Sequence, residues 1–173
     1  MNAYKELNNR DTTARSEHRE PIELGGVVLH HTAGKWDTDV DWVSRSGAQG
    51  GYHCIIAPNG KRAVLAPDRA YTWHAGLSLW QGRDNCNDHM LGVAFSGDTT
   101  QHPLTSDQVC SFVEWWFNRA ESYGWTLANI TDHRTVRENY LNVHPGQATP
   151  KVDLDARELD RIINALRDNG QTY

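Results

Sequence analysis

Val27-Val28-Leu29-His30-His31-Thr32-Ala33-Gly34 is the stretch that decides how this chain folds. Three apolar residues behind a Gly25-Gly26 boundary read as a short buried strand. Two histidines close it, where the strand opens into a glycine-containing loop. In α/β sheets, ligands and catalytic groups collect outside the ends of strands. A histidine at this place is therefore a candidate zinc ligand. On a strand, His30 and His31 face opposite sides, so one of the two can easily join a metal.

Working outward, residues 37–45 read as a short helix with Val40 and Val43 on one side, ended by Gly47, Gly50 and Gly51. Residues 52–57 are a second strand, and Pro58-Asn59-Gly60 is a hairpin turn returning residues 61–66 as a third. Residues 68–82 are irregular, 83–89 a polar loop, and 91–97 another buried strand. Thr105-Ser106-Asp107-Gln108 is a capping box. It opens a helix whose apolar stripe runs from Val109 to Ala120 and which Gly124 stops. Residues 127–131 lead to Asp132-His133-Arg134. A loop holding His144-Pro145-Gly146 follows, then a last helix from near Asp153 to Asn169-Gly170. The expected architecture is a single α/β domain: a central mixed β-sheet flanked by helices, with the zinc site at the strand ends. Residues 1–20 form a polar N-terminal arm and residues 21–173 the domain.

Composition narrows the function classes. At 173 residues the chain is long enough for one real core. Apolar residues at 38% against 23% charged favour folding over disorder. A net charge of −5 gives no general electrostatic reason to bind nucleic acid. Three widely spaced cysteines contain no C-x-x-C pair, which excludes a cysteine zinc ribbon and disfavours a disulfide framework. Cys54 and Cys110 read as buried, Cys86 as a thiol in a polar loop. The first 20 residues lack the apolar core of a signal peptide, and no stretch reaches membrane-span length. The expectation is a monomer made in the cytoplasm without a signal peptide, acting without a membrane. Nine histidines make metal or acid/base chemistry worth testing. Of the seven tryptophans, Trp73 and Trp80 lie in loops where an indole face can stack on a sugar, and of Trp115 and Trp116 one should be core and the other exposed. His89 and His102 read as surface residues.

Taken in order, Val-Leu-His-His-Thr-Ala-Gly, Gly51-Tyr52-His53-Cys54, Pro58-Asn59-Gly60, His74-Ala75-Gly76, Leu91-Gly92-Val93, Asp132-His133-Arg134 and His144-Pro145-Gly146 form a series. This series resembles the type-2 N-acetylmuramoyl-L-alanine amidases, a family that includes bacteriophage endolysins, wall-recycling amidases and peptidoglycan recognition proteins. The resemblance covers roughly residues 24–167, nearly the whole of a domain of ordinary size. It implies a zinc amide hydrolase that cuts between N-acetylmuramic acid and L-alanine in peptidoglycan. Its ligands map to His30, His133 and His144, its strand tyrosine to Tyr52 and its substrate-loop histidine to His74. The bound zinc would polarise the scissile carbonyl, with Tyr52 and Asn142 steadying the oxyanion. His74 would bind the muramyl-peptide or carry the proton to the leaving amine.

Three positions depart from the family pattern. The third ligand is Cys or Asp before Pro in relatives and is His144 here. Many catalytic members also carry a lysine two residues before that ligand, where this chain has Asn142, and some a glutamate at the place of Ala94. Tyr52, His74 and Lys151 are then the remaining proton carriers. A phage endolysin fits a short chain with no wall-binding repeat, and a cytoplasmic recycling amidase would have the same composition. The alternative is a peptidoglycan-binding module of the same fold that does not cut.

Overall fold

The computed structural model describes Tyr4, residues 6–7, 24–44 and 50–173. Apart from Tyr4, Glu6 and Leu7, the amino-terminal arm lies outside the described residues, as does Gly47. In chain order the elements are β1 (Glu6–Leu7), β2 (Gly26–His31), α1 (Trp36–Ser44), β3 (Cys54–Ile56) and β4 (Arg62–Val64). A two-strand hairpin of β5 (Leu79–Trp80) and β6 (Arg83–Asp84) precedes β7 (Met90–Phe95). Then come α2 (Ser106–Tyr123), β8 (Ile130–Asp132), α3 (His133–Val143) and α4 (Ala156–Asp168).

Six strands form one mixed sheet in the order β1-β4-β3-β7-β2-β8. Among the described residues of this sheet, only the β3–β4 hairpin is antiparallel; the other pairs are parallel. A parallel sheet needs both faces covered, and β2 shows the consequence. Val27 and Leu29 point into the layer of α2 and α4, packing with Phe112, Trp116 and Ile162. Val28 points the other way, to Ala75, Met90 and Val136. The two-residue period continues to the strand end, so His30 shares the face of Val28 and His31 that of Leu29.

The long helix α2 begins and ends as its residues require. Thr105 Oγ1 accepts from the Gln108 amide at 3.1 Å, and Gln108 Oε1 accepts from the Thr105 amide at 3.0 Å. Gly124 closes it at φ 66°, a left-handed conformation that glycine adopts without a Cβ clash. Both Trp115 and Trp116 are buried, whereas the sequence suggested one exposed indole. Cys86 is buried and Cys110 exposed, the reverse of expectation. His89, expected at the surface, is buried as well.

The largest difference is α3, which replaces an expected loop. Asp132 caps it by accepting from the Thr135 amide at 2.7 Å. Only His133, Val136 and Arg137 of its eleven residues are buried, so its apolar stripe is too narrow to show as a helical period. The last helix also starts later than expected, with Asp155 rather than Asp153 at its cap.

Candidate metal centre and cleft

Three elements converge where β2 ends. His30 comes from the end of β2, His133 is the first residue of α3, and Asp153 lies in the segment before α4. One donor atom from each lies within 4.8 Å of the others. Nδ1 of His30 is 3.3 Å, and Nδ1 of His133 is 2.8 Å, from Oδ2 of Asp153.

The hydrogens of this cluster follow from its outer partners. A neutral imidazole has one N–H and one lone pair, while a backbone carbonyl can only accept. His133 Nε2 lies 3.0 Å from Ala75 O and therefore donates to it, which leaves Nδ1 bare toward Asp153. His74 Nε2 lies 3.2 Å from Met90 O and donates likewise, so His74 Nδ1 is an acceptor. His30 Nε2, 3.2 Å away, donates to it and leaves its own Nδ1 bare. Burial pushes the pKa of His30 down despite the Asp153 charge, which favours the neutral ring. With both rings neutral, two imidazole lone pairs and a carboxylate oxygen face one another with no hydrogen among them. A cation is the group that satisfies all three. Ligand atoms 2.0–2.1 Å from a tetrahedral zinc lie about 3.3 Å apart, and two imidazoles with one carboxylate form a common catalytic zinc set. The residues therefore fit a zinc ion.

Asp153 is fixed from behind. Its Oδ1 accepts from the backbone amides of His31 at 2.7 Å and Leu154 at 2.9 Å, which turns Oδ2 toward the histidines. Burial alone would raise its carboxyl, but positive charge at this point, carried by protons on His30 and His133 or by a cation in their place, outweighs that and holds it far below the usual carboxylate range. His31 faces the other side, where its Nδ1 accepts from the Thr99 amide at 3.0 Å. His53 is structural too: its Nδ1 accepts from the Gly92 amide at 3.0 Å and its Nε2 donates to Ala70 O.

The cluster opens onto a cleft of about 400 Å³. Trp42 and Trp73 stand exposed on its walls, with Tyr52, Arg137 and Lys151 among the other lining residues. The Tyr52 ring centroid is 5.1 Å from that of His30. Burial, reinforced by the charges of Asp153 and Asp39, pushes the Tyr52 phenol well above its ordinary pKa. It stays a protonated hydrogen-bond donor.

The structure brings His30, His133, Tyr52 and His74 together and leaves His144 and Asn142 outside. His144 caps the carboxy-terminal end of α3, its ring 4.5 Å from that of Tyr140. Eleven residues of helix at 1.5 Å each put it roughly 16 Å along the axis from His133. Asn142 is exposed near the same end and does not line the cleft. His74 lines the cleft but is buried with both ring nitrogens engaged, one of them by His30, whose ring it orients. Gly92 makes room for it: a Cβ there would lie 2.4 Å from the His74 ring. Trp80, partly buried, packs against the cluster that includes Val136 of α3, while Trp73 lines the cleft. Sequence reasoning missed Asp153 and Arg137. The signal for Asp153 was available: Lys151-Val152-Asp153 has a lysine two residues before an aspartate, the spacing sought around His144.

Comparison with known proteins bears on the family and the fold. The family model described as N-acetylmuramoyl-L-alanine amidase matches residues 20–148. The 1,6-anhydro-N-acetylmuramyl-L-alanine amidase AmpD of Enterobacter cloacae is 34% identical over 84 residues, covering 48% of this chain and 44% of that protein. The matched part thus spans less than half the length of that relative. Among solved structures, the Ph2119 endolysin from a Thermus scotoductus bacteriophage superposes with a TM-score of 0.61 at 19% identity, covering 94% of this chain and 99% of that one. The E. coli amidase AmiD, in complex with the substrate anhydro-N-acetylmuramic acid-L-Ala-D-γ-Glu-L-Lys, gives a TM-score of 0.59 at 20% identity, covering 68% and 51%. These two likenesses establish the shared fold. By the extent of the family match, this chain belongs to the N-acetylmuramoyl-L-alanine amidase family.

Proposed function

We propose that this chain hydrolyses the amide bond between N-acetylmuramic acid and L-alanine of peptidoglycan, with a zinc ion held by His30, His133 and Asp153. The observation that carries the reading is the convergence of three lone pairs at the head of a cleft lined by Tyr52 and Lys151. When bound, the zinc supplies a Lewis acid that polarises the scissile carbonyl and acidifies water. The protein's own groups do the rest. Asp153, anchored by two backbone amides, holds the charge that balances the cation. Tyr52, kept protonated by burial, donates to the carbonyl oxygen as negative charge develops there. Lys151 lines the same cleft and offers an ammonium proton to the leaving amine of L-alanine. With Asp153 as third ligand, Lys151 stands at the family's lysine position, and one argument for a binding module that does not cut falls away. Ala94, beside His30 across the β2–β7 pair, keeps the departure at the glutamate position.

The reading extends to a phage endolysin acting on intact walls, supported by a fold-likeness to the Ph2119 endolysin that spans nearly both chains. A second reading, action on soluble wall fragments, is favoured by the sequence identity to AmpD. The test is to incubate purified peptidoglycan and soluble anhydromuropeptide with the protein, with and without chelator, and assay new L-alanine amino termini. Chelator-sensitive release is expected. Release from walls supports the endolysin, release from fragments alone the second reading, and no release despite bound zinc defeats both.

A further inference from the structure

Among the described residues, Arg137 stands in the cleft without a counter-charge. It lies one helical turn after His133 on α3 and is only 8% exposed. Its Nε is buried with no hydrogen-bond partner, and no carboxylate among the described residues pairs with its guanidinium. Asp153, which lines the same cleft, is placed otherwise: Oδ1 is held by two backbone amides and Oδ2 faces the two imidazoles. Room for the guanidinium is kept by Gly76, whose φ of 54° is left-handed and where a Cβ would lie 3.1 Å from Arg137 Nη2. Both residues line the cleft. A buried, unpaired cation is costly to keep unless something pairs with it. Arginine's planar fork of N–H donors matches a carboxylate in particular.

We infer that Arg137 is a specificity-determining residue that binds a free carboxylate of the peptide two residues beyond the scissile bond. This rests on the amidase reading above. A peptide linked through the γ-carboxyl of its second residue, D-glutamate, leaves the α-carboxylate of that residue free. Two residues of extended chain span roughly 7 Å. Four residues of helix from His133 to Arg137 advance about 6 Å, so a peptide whose first carbonyl meets the His30–His133–Asp153 cluster brings that carboxylate level with Arg137. Lys151 adds a second positive group to the same cleft.

The experiment compares two probes differing in one group: L-alanyl-γ-D-glutamyl-L-lysine and its glutamate α-amide. Binding to the wild-type protein is measured by calorimetry, and kcat/KM on the corresponding N-acetylmuramoyl peptides by amine release. The free acid should bind at least about tenfold more tightly than the amide, as expected for a charge-assisted hydrogen bond. Arg137→Gln should reduce that ratio to below about threefold through KM, and Arg137→Lys should restore part of it. The acid-to-amide ratio in the unaltered protein needs no variant to fold. Equal binding of acid and amide by the wild type, or absence of binding by both, overturns the role of Arg137, as does an unchanged ratio in folded Arg137→Gln. Preferential binding of the acid without any hydrolysis keeps Arg137 and removes the amidase reading. Hydrolysis without acid preference does the reverse.

Discussion

Asp153 Oδ2 lies 2.8 Å from His133 Nδ1, although the length of α3 and a following loop separate the two residues. Because this contact, and not one to His144, completes the cluster, Asp153→Ala should lower bound zinc from about one per chain to a small fraction. His144→Ala should leave it in place. Elemental analysis of the purified variants decides; loss of metal in His144→Ala with retention in Asp153→Ala would reverse the assignment.

Lys151 and Asn142 make opposite predictions for turnover. Lys151→Met should retain zinc and lose roughly 10²-fold or more in kcat, the usual scale for a proton-transfer group. Asn142→Ala, altered at an exposed site on α3, should cleave as the parent does. Steady-state kinetics on a muramoyl-peptide would expose the error if Asn142→Ala were the slower enzyme.

Tyr52→Phe removes a single hydroxyl at the cleft. Metal content should be unchanged and kcat should fall by about 10²-fold, as for loss of one oxyanion donor. Because burial raises the phenol's pKa, the alkaline limb of the wild-type rate profile should not arise from this group near its ordinary value of about 10. A limb at that pH that disappears in Tyr52→Phe would contradict the assignment.

Gly92→Ala places a methyl group where the His74 ring lies, 2.4 Å away. The ring must move and with it the hydrogen bond that orients His30. Zinc affinity should drop by about 10- to 100-fold, the usual effect of losing an outer-layer partner of a metal ligand. Titration with a competing chelator measures it, and unchanged affinity would show that His74 does not orient His30.

Protons should weaken the metal-free protein on the acid side. Burial lowers the folded-state pKa of His30, so the unfolded chain binds more protons there. The contribution of a neutral His30 is then complete above the unfolded pKa of about 6.5 and is lost as pH falls below it. In excess chelator, thermal midpoints should decline from pH 7.5 to 5.5, and His30→Asn should flatten the decline. An equal slope in the variant would place the effect elsewhere.

Much of this protein is written in local sequence. The β2 stretch, the Asn59-Gly60 turn and the capped α2 follow from apolar period, turn chemistry and capping, each settled by near neighbours in the chain. His30 and His133 were legible for the same reason, since each sits at the end of an element. The third member of the cluster, Asp153, was not. It depended on whether residues 133–143 run as a loop or a helix, and their narrow buried stripe made the helix invisible until Val136 was packed against Val28 of the sheet. That one helix carries His144 away, lets the chain return with Asp153 and leaves Arg137 over the cleft. Contacts between residues 20 to 123 positions apart, such as Asp153 with His133 and with His30, are set by the closing of the whole fold, and only the tertiary structure decides them.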